Sequence, residues 1–339
     1  MKKPTMQDIA NELSTSRITV WKALNNRPGV SSKLRHEILT RAKELGYLSE
    51  ETELPLANTV ASRTIAAVVS RPESSVFWME IIHELAKTLS EQGINLMYTY
   101  LPTSYKPGYA LPSVLTDGSV SGMIVLNIYA KQLLEKLAAL PLPKVFLDTV
   151  PDLPFAKLNG NLVILEGRCL VKEITSRLLE SGRGRLGFIG DVDYAQTNTD
   201  RFQGFLDAFE EKSLSPDLSL SLLGPFGFRT HYEEICRFIC NLDSLPEAFV
   251  CASDYIADFV QLCFNEYNLN PQGKIILTGF DNNTEYANVA GRLTTVDVQT
   301  KSLGARLANH ILFKIDYPAS SPELSYISSD ILYRGILLN

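Results

Sequence analysis

Apolar residues in the first 47 positions recur at helical spacing in three short groups, which predicts three helices around a small core. Thr5 and Asp8 form a possible capping box for the first helix, and Ser16 can cap the second after a short turn. The third helix begins at residue 31 or 32 and ends at Gly46. Two helices joined by so short a turn are a helix-turn-helix candidate. The predicted inward positions are Met6, Ile9, Ala10, Leu13, Val20, Ala23, Leu24, Leu34, Ile38, Ala42 and Leu45.

The second helix turns Arg17, Ile18, Trp21 and Lys22 outward near its N-terminus. Arginine and lysine can donate to guanine O6 and N7, and isoleucine can contact a thymine methyl group. Arg17, Ile18 and Lys22 are therefore the predicted base-reading residues. Predicted phosphate contacts fall on Thr5, Ser16, Thr19 and Asn25. The alternative is the solvated face that any amphipathic three-helix bundle presents.

Charge indicates an anionic partner for this head alone. Residues 1–50 carry nine Lys and Arg against five Asp and Glu, whereas residues 51–339 carry 23 against 33. A protein that coats nucleic acid would not be acidic over its larger part. The head is predicted to span residues 1–48, and the polar, acidic residues 49–63, interrupted by Pro55, are predicted to form a linker.

From residue 64 onward, short apolar runs alternate with helical patterns, which predicts α/β layers with parallel sheets. The alternation repeats after residue 160, so residues 64–339 are predicted to form two lobes with a ligand cleft at the carboxyl ends of their strands. The predicted strands are 65–69, 94–98, 123–126, 145–147, 186–189, 220–223, 248–251 and 275–278. The predicted helices are 76–92, 131–139, 166–181, 200–212, 230–241, 254–267 and 301–315.

Three aspartates follow predicted strands at the edge where this cleft would lie: Asp148, Asp254 and Asp281. Arg201, near the start of a predicted helix, adds the planar N–H donors of its guanidinium group. Aromatic side chains such as Phe77, Trp78 and Phe226 add flat apolar surfaces. Acceptors, donors and rings in one cleft suit a polyhydroxylated ligand. The alternative for each aspartate is a helix cap or a turn former.

Composition is that of a folded, multidomain protein: the chain has 339 residues, 45% of them hydrophobic and 21% charged. No apolar run reaches the length of a membrane span, so we expect a cytoplasmic protein without membrane association. The five scattered cysteines are expected to be reduced and mostly buried. No cofactor or metal is predicted.

The head resembles the DNA-binding domain of LacI/GalR-family repressors over residues 5–10, 16–20, 23–25, 30–31 and 45–47. The resemblance implies base reading by Arg17, Ile18 and Lys22. Trp21 stands where the family usually has serine, and Lys22 where arginine is frequent, so the operator sequence should differ from family norms. The family also places a leucine in the minor groove from a short hinge helix, and Leu56 is the nearest match.

The body resembles the family's effector domain, which is similar to periplasmic sugar-binding proteins, over residues 185–190, 200–205, 251–254, 279–282 and 293–297. The resemblance implies a homodimer on an operator and effector contacts at Arg201, Asp254 and Asp281. It implies further effector contacts, in more variable stretches, at Ser70, Phe77, Asp148 and Phe226.

The implied lobes span about residues 64–160 with 292–320, and about 161–291 with 321–339. The implied effector is a carbohydrate, with a nucleobase or nucleoside as the alternative.

Three classes of function compete: a DNA-binding repressor whose affinity for DNA is controlled by a small molecule, a cytoplasmic sugar-binding module, and an α/β enzyme.

The motifs that would indicate an enzyme are weak. A Gly-x-Gly-x-x-Gly pattern at residues 182–187 ends a helix and enters a strand, the reverse of a phosphate-binding loop. Cys236 and Cys240 lack a second ligand pair at metal spacing, so core packing is the better interpretation. No nucleophile elbow is visible. The repressor explains most of the pattern.

Overall fold

The computed structural model of this protein describes residues 4–25, 30, 32–48, 63–70, 75–227 and 230–338. The chain divides into two compact units, Met1–Arg63 and Thr64–Asn339. Each unit is described separately. The predicted linker, except Arg63, lies outside the described residues, as does Leu56.

The first unit contains three helices: α1 (Met6–Glu12), α2 (Arg17–Leu24) and α3 (Ser32–Glu44). The predicted caps are confirmed, because the Asp8 amide donates to Thr5 Oγ1 at 3.4 Å and the Thr19 amide to Ser16 Oγ at 3.0 Å. Gly46 ends α3 with φ +74°, a conformation that costs glycine little. The buried core of this unit contains Ile9, Ala10, Val20, Ala23, Ile38 and Ala42.

The second unit contains a six-stranded parallel sheet, a three-stranded parallel sheet and a two-stranded antiparallel ribbon. The sheet strands are β1 (Thr64–Val69), β2 (Asn95–Tyr100), β3 (Gly122–Leu126), β4 (Lys144–Leu147), β5 (Asn161–Leu165), β6 (Leu186–Ile189), β7 (Ala248–Cys251), β8 (Ile276–Thr278), β9 (Thr295–Asp297), β10 (Leu324–Ile327) and β11 (Asp330–Leu332). The helices are α4 (Val76–Ser90), α5 (Lys131–Ala138), α6 (Arg168–Glu180), α7 (Gln196–Glu211), α8 (His231–Cys240), α9 (Asp254–Glu266) and α10 (Thr300–Asp316).

The strand order β10-β5-β4-β3-β1-β2 defines lobe one, and β6-β7-β8 defines lobe two. Strands β3, β4 and β5 are buried along their whole length, because helices cover both faces of the sheet. Edge strand β2 is instead mostly exposed. The two-lobed α/β architecture predicted from the alternating pattern is confirmed.

The predicted lobe boundaries need correction. Strand β5 pairs with β4 and β10 in the sheet of lobe one, so lobe one continues to about residue 165. Strand β10 returns to that same sheet, and only β11 joins β9 beside lobe two. The boundary near residue 160 that the family resemblance implies would place β5 in lobe two, but the pairing of β5 with β4 places it in lobe one.

Two predicted elements also differ. The strand at residues 220–223 is reduced to one bridge between Leu222 and Ile189, preceded by a 3-10 helix, Leu218–Leu220. Helix α7 begins at Gln196, four residues before its predicted start. None of the helices in the described part of the chain has the length and apolar character needed to cross a membrane.

Lys144 is a charged side chain in the core of lobe one, with 1% of its surface exposed. Its Nζ donates to the carbonyl oxygens of Ala138, at 2.9 Å, and Leu140, at 2.5 Å, at the C-terminal end of α5. Burial lowers the pKa of Lys144 to about 8. The side chain thus satisfies helix-end carbonyls at the cost of removing an ammonium group from water.

We expect the free energy of unfolding to rise between pH 8 and pH 10 in the natural protein, and to rise less in Lys144→Met. The unfolded chain holds the Lys144 proton over this window while the folded chain has released it, so deprotonation favours the folded state. The difference between the two proteins should reach about 3 kcal/mol. Urea titrations at several pH values measure it, and parallel curves for the two proteins would contradict the lowered pKa.

Candidate functional site

The outward face of α2 is exposed as predicted. Ile18 is 68% exposed and Trp21 45%, Arg17 is exposed, and Lys22 is half-buried. Large apolar side chains at this exposure beside two cations are costly in water and suited to contact with a partner. Arg17, Ile18 and Lys22 therefore share one accessible helix face.

The predicted phosphate-contacting side chains are partly engaged within the head. The Thr5 hydroxyl donates to Asp8 Oδ2 at 2.6 Å, so its hydrogen is held by the capping box. The Ser16 and Thr19 hydroxyls lie 2.8 Å apart and share one hydrogen, which leaves the other available. Asn25 Nδ2 donates to the Trp21 carbonyl at 2.9 Å and retains a second N–H.

Arg35 of α3 is hydrogen-bonded to the C-terminal end of α2, a contact that was not predicted from the sequence. Its Nη1 donates to the carbonyl oxygens of Lys22, at 3.1 Å, and Ala23, at 2.9 Å. These carbonyls lie at the C-terminal end of α2, where helix groups lack internal partners and favour a cation. No sequence signal distinguishes Arg35 from the other cations of α3, because the contact crosses from one helix to another.

In the second unit, the three predicted aspartates belong to one electrostatic site. Burial raises the pKa values of Asp148, Asp254 and Asp281. The positive charge of the Arg201 guanidinium acts on all three and opposes part of this rise. Asp148 follows β4 of lobe one, whereas the other two aspartates follow β7 and β8 of lobe two. The carboxyl ends of both sheets therefore meet at Arg201, as the sequence predicted.

Arg201 is 5% exposed and is held in a defined orientation. Its Nη1 donates to the Ala252 carbonyl at 2.6 Å, and its guanidinium carbon lies 3.7 Å from the centre of the Phe280 ring. Nη2 lies 3.7 Å from Asp281 Oδ1. The buried Nε has no hydrogen-bond partner among the described residues, so the guanidinium is incompletely satisfied.

Asp281 is the least satisfied of the three carboxylates. Its side chain forms no hydrogen bond within the described residues, and burial raises its pKa to about 7. Its backbone has φ +104°, which is rare for a residue with a side chain. Strain and desolvation at one carboxylate are typical of a functional position.

Both carboxylate oxygens of Asp254 accept hydrogen bonds from neighbouring residues of the protein. Oδ1 accepts from the Thr295 hydroxyl at 2.7 Å and Oδ2 from the Asn283 amide at 2.8 Å, although burial still raises its pKa to about 6. A Cβ at Gly279 would lie 2.1 Å from Asp254 Oδ1, so only glycine fits there. Asp254 therefore organises the loop that carries Asp281.

Asp148 also has its carboxylate occupied, which changes its predicted role as an effector contact. Oδ1 accepts from the amides of Thr149, at 2.8 Å, and Thr197, at 3.3 Å. Oδ2 accepts from the hydroxyls of Thr197, at 2.7 Å, and Tyr129, at 3.3 Å. Four donors leave little capacity for a ligand, whereas the neighbouring Thr149 hydroxyl is buried and has no partner among the described residues.

The remaining predicted contacts lie in less specific surroundings. The Ser70 hydroxyl donates to the Leu101 carbonyl at 2.9 Å and can still accept a hydrogen bond. Phe77 is half-buried, with its ring 5.2 Å from that of Trp78. Phe226 packs at 5.4 Å against the ring of His231 in lobe two. Their effector roles stay predictions.

No group of side chains among the described residues could hold a metal ion. The glycine-rich pattern at residues 182–187 joins the end of α6 to β6, so its place is the turn that the sequence indicated. Cys236 lies in the core of lobe two as predicted, whereas Cys240 is exposed, so the core-packing interpretation is wrong for Cys240.

Comparison with known proteins agrees with this architecture. The family model of the periplasmic binding protein-like domain matches residues 175–335. The chain is 25% identical over 319 residues to the HTH-type transcriptional repressor PurR of Haemophilus influenzae, covering 92% of this chain and 91% of the relative. It is also 25% identical over 334 residues to the HTH-type transcriptional regulator RegA of Clostridium saccharobutylicum, covering 95% and 96%.

Solved structures share the fold. A complex of the transcriptional regulator CelR with cellobiose matches with a TM-score of 0.68 at 20% identity and covers 98% of this chain and 99% of that one. The lac repressor dimer bound to operator and the anti-inducer ONPF matches with a TM-score of 0.68 at 19% identity and covers both chains completely.

We expect Arg35→Met to destabilise the head by about 1 to 2 kcal/mol, because two helix-end carbonyls lose their charged donor. Denaturant unfolding followed by Trp21 fluorescence in a Trp78→Phe background measures the head. Arg41→Met is the control, since Arg41 pairs with Glu12 and Glu44 on the exposed surface. Equal losses in the two variants would assign Arg35 no special role.

We expect the melting temperature to fall as pH rises from 5 to 8, and to fall less in Asp281→Asn. The folded chain keeps the Asp281 proton up to about pH 7, whereas the unfolded chain releases it near its ordinary value of 3.8. Stability is therefore lost as pH rises through this window. Thermal denaturation across the pH range should show curves that differ by a few degrees at pH 8. Curves of equal slope would show that Asp281 is ionised throughout.

Proposed function

Because the chain belongs to the LacI/GalR family of transcriptional regulators, we propose that it is a repressor whose operator affinity changes when a small molecule binds between its lobes. It is a transcriptional regulator and not an enzyme. The observation that carries the proposal is that one chain combines an exposed, partly cationic face on α2 with the buried Arg201 and the partly buried Asp281, whose carboxyl group has no hydrogen bond within the described residues. The first suits duplex DNA and the second a polar ligand. Such a regulator acts in the cytoplasm.

The head is proposed to read the major groove through Arg17, Ile18 and Lys22. Arg17 and Ile18 are exposed at the N-terminal end of α2, where a recognition helix meets base edges. The half-buried Lys22 supplies a single ammonium instead of the two-pronged fork of arginine. Trp21 adds a broad apolar surface beside them.

The effector is proposed to be an uncharged polyhydroxylated molecule, most simply a carbohydrate. Three acidic groups around one guanidinium disfavour an anionic ligand, because an added negative charge would lie beside Asp148, Asp254 and Asp281. Hydroxyl groups can donate to Asp281 and accept from Arg201 Nε at once. The CelR complex contains cellobiose, which supports a sugar. A nucleobase is the second candidate, because the similarity to PurR repressors extends over most of the chain.

The repressor is proposed to act as a homodimer, which would present two heads to a two-fold operator. Edge strand β2 exposes Met97, Tyr98 and Tyr100, with exposed fractions of 36%, 49% and 53%. An apolar edge strand left in water invites uncontrolled pairing, so a partner surface there is physically reasonable. The similar lac repressor structure is titled as a dimer.

We expect the protein to retard DNA from the upstream region of its own gene, with binding that weakens as salt rises. Arg17→Ala should weaken this binding roughly tenfold or more, because one guanine contact is worth about 1 to 3 kcal/mol. Arg183→Ala is the matched control and should leave binding unchanged, because Arg183 is a half-buried arginine of lobe two that bonds to Ser181. An affinity of Arg17→Ala for this DNA equal to that of the natural protein would contradict base reading by α2.

We expect a screen of neutral sugars and nucleosides to raise the melting temperature of the natural protein with at least one compound. Arg201→Ala and Asp281→Ala should abolish that shift while each variant stays folded by circular dichroism. Phosphorylated forms of the same compounds should shift it less. A compound that stabilises all three proteins equally would bind elsewhere.

A further inference from the structure

The first turn of helix α7 in lobe two is bonded to lobe one. Helix α7 follows Ala195, whose side chain offers no cap. Instead the Thr197 amide donates to Asp148 Oδ1 at 3.3 Å, and the Gln196 amide donates to the Thr149 carbonyl at 2.8 Å. Asp148 and Thr149 directly follow β4 of lobe one. The helix therefore receives its N-terminal cap across the cleft.

Side chains strengthen this contact. The Thr197 hydroxyl donates to Asp148 Oδ2 at 2.7 Å, and the Tyr129 hydroxyl donates to the same oxygen at 3.3 Å. The ring of Tyr129 lies 4.6 Å from that of Tyr194, which immediately precedes the helix cap. Asp148 and Thr197 are 6% and 7% exposed, so water competes little for these bonds.

The reverse arrangement occurs at helix α4 of lobe one. The Val76 amide, in its first turn, donates to Glu285 Oε2 at 3.0 Å. Glu285 lies between β8 and β9 in lobe two. Next to it, Tyr286 is hydrogen-bonded to the side chain of Ser75, the N-cap residue of α4. Each lobe thus supplies a carboxylate to a helix N-terminus of the other.

We propose that reciprocal helix capping holds the two lobes closed: Asp148 of lobe one caps α7, and Glu285 of lobe two caps α4. First-turn amides have no partner inside their own helix, and the helix dipole favours a carboxylate beside them. Opening the cleft removes both caps at once and exposes the buried Asp148 and Thr197 to water. Closure and capping are therefore a single equilibrium.

This inference goes beyond the proposed function, since it depends neither on DNA nor on the identity of the effector. It assigns Asp148, Thr197 and Glu285 as positioning residues that act on the cleft through the helices they join. An effector held by Arg201 and Asp281 would then bind to lobes whose spacing these caps already set.

Hydrogen–deuterium exchange of the full chain, purified without added sugar or nucleoside and resolved to single amides, tests the inference. Glu285→Ala removes the cap of α4. If the caps form one equilibrium, exchange should rise roughly fivefold at Val76 and also at Gln196 and Thr197 on the opposite helix. If exchange rises only at Val76, each cap is local and the inference is wrong.

The converse variants complete the test. Asp148→Ala should raise exchange at Val76, and Thr197→Val, which removes one hydroxyl and preserves the amide, should raise it less. Asp217→Ala is the matched control, because Asp217 caps the Ser219 amide within lobe two and should leave all three reporter amides unchanged. If neither Asp148→Ala nor Thr197→Val changes Val76 exchange, the two caps are independent and the inference is overturned.

Discussion

The structure of the second unit depends on placing three carboxyl groups, those of Asp148, Asp254 and the partly buried Asp281, around the one guanidinium of Arg201. Each buried acid would be strongly unfavourable without donors, and the structure supplies them unequally. Within the described part of the chain, the Asp148 carboxylate accepts four hydrogen bonds and that of Asp254 two, whereas the Asp281 carboxylate has only Arg201, at 3.7 Å. The least satisfied carboxylate is therefore the one that gains most from a ligand with hydroxyl donors.

The donors that satisfy the other two carboxylates also determine the shape of the site. The donors to Asp254 come from β9 and from the loop that carries Asp281, so they fix the position of this loop. Two of those on Asp148 come from α7 in the other lobe. The hydrogen bonds that satisfy the Asp148 carboxylate are consequently the same bonds that join the two lobes. A movement of the lobes would therefore change the surroundings of this carboxylate.

The head is stabilised by a small core together with local helix caps. Its core contains only small and aliphatic side chains, so local signals contribute much of its order. The capping box at Thr5, the cap at Ser16 and the glycine end of α3 each act within a few residues of sequence. Arg35 is the exception, since it reaches from α3 to the end of the reading helix.

Local periodicity and local capping are enough to predict the three head helices, the α/β alternation, and the placing of Asp148, Asp254 and Asp281 at strand ends beside Arg201. The sequence could not assign β5 and β10 to lobe one, because a buried apolar run has the same pattern in either sheet. It also placed the start of α7 at residue 200, because the cap of that helix is Asp148, distant in sequence and on the other lobe. Only the tertiary structure could decide that Asp148 positions a helix while Asp281 remains open, since the difference lies in which donors the fold brings to each carboxylate.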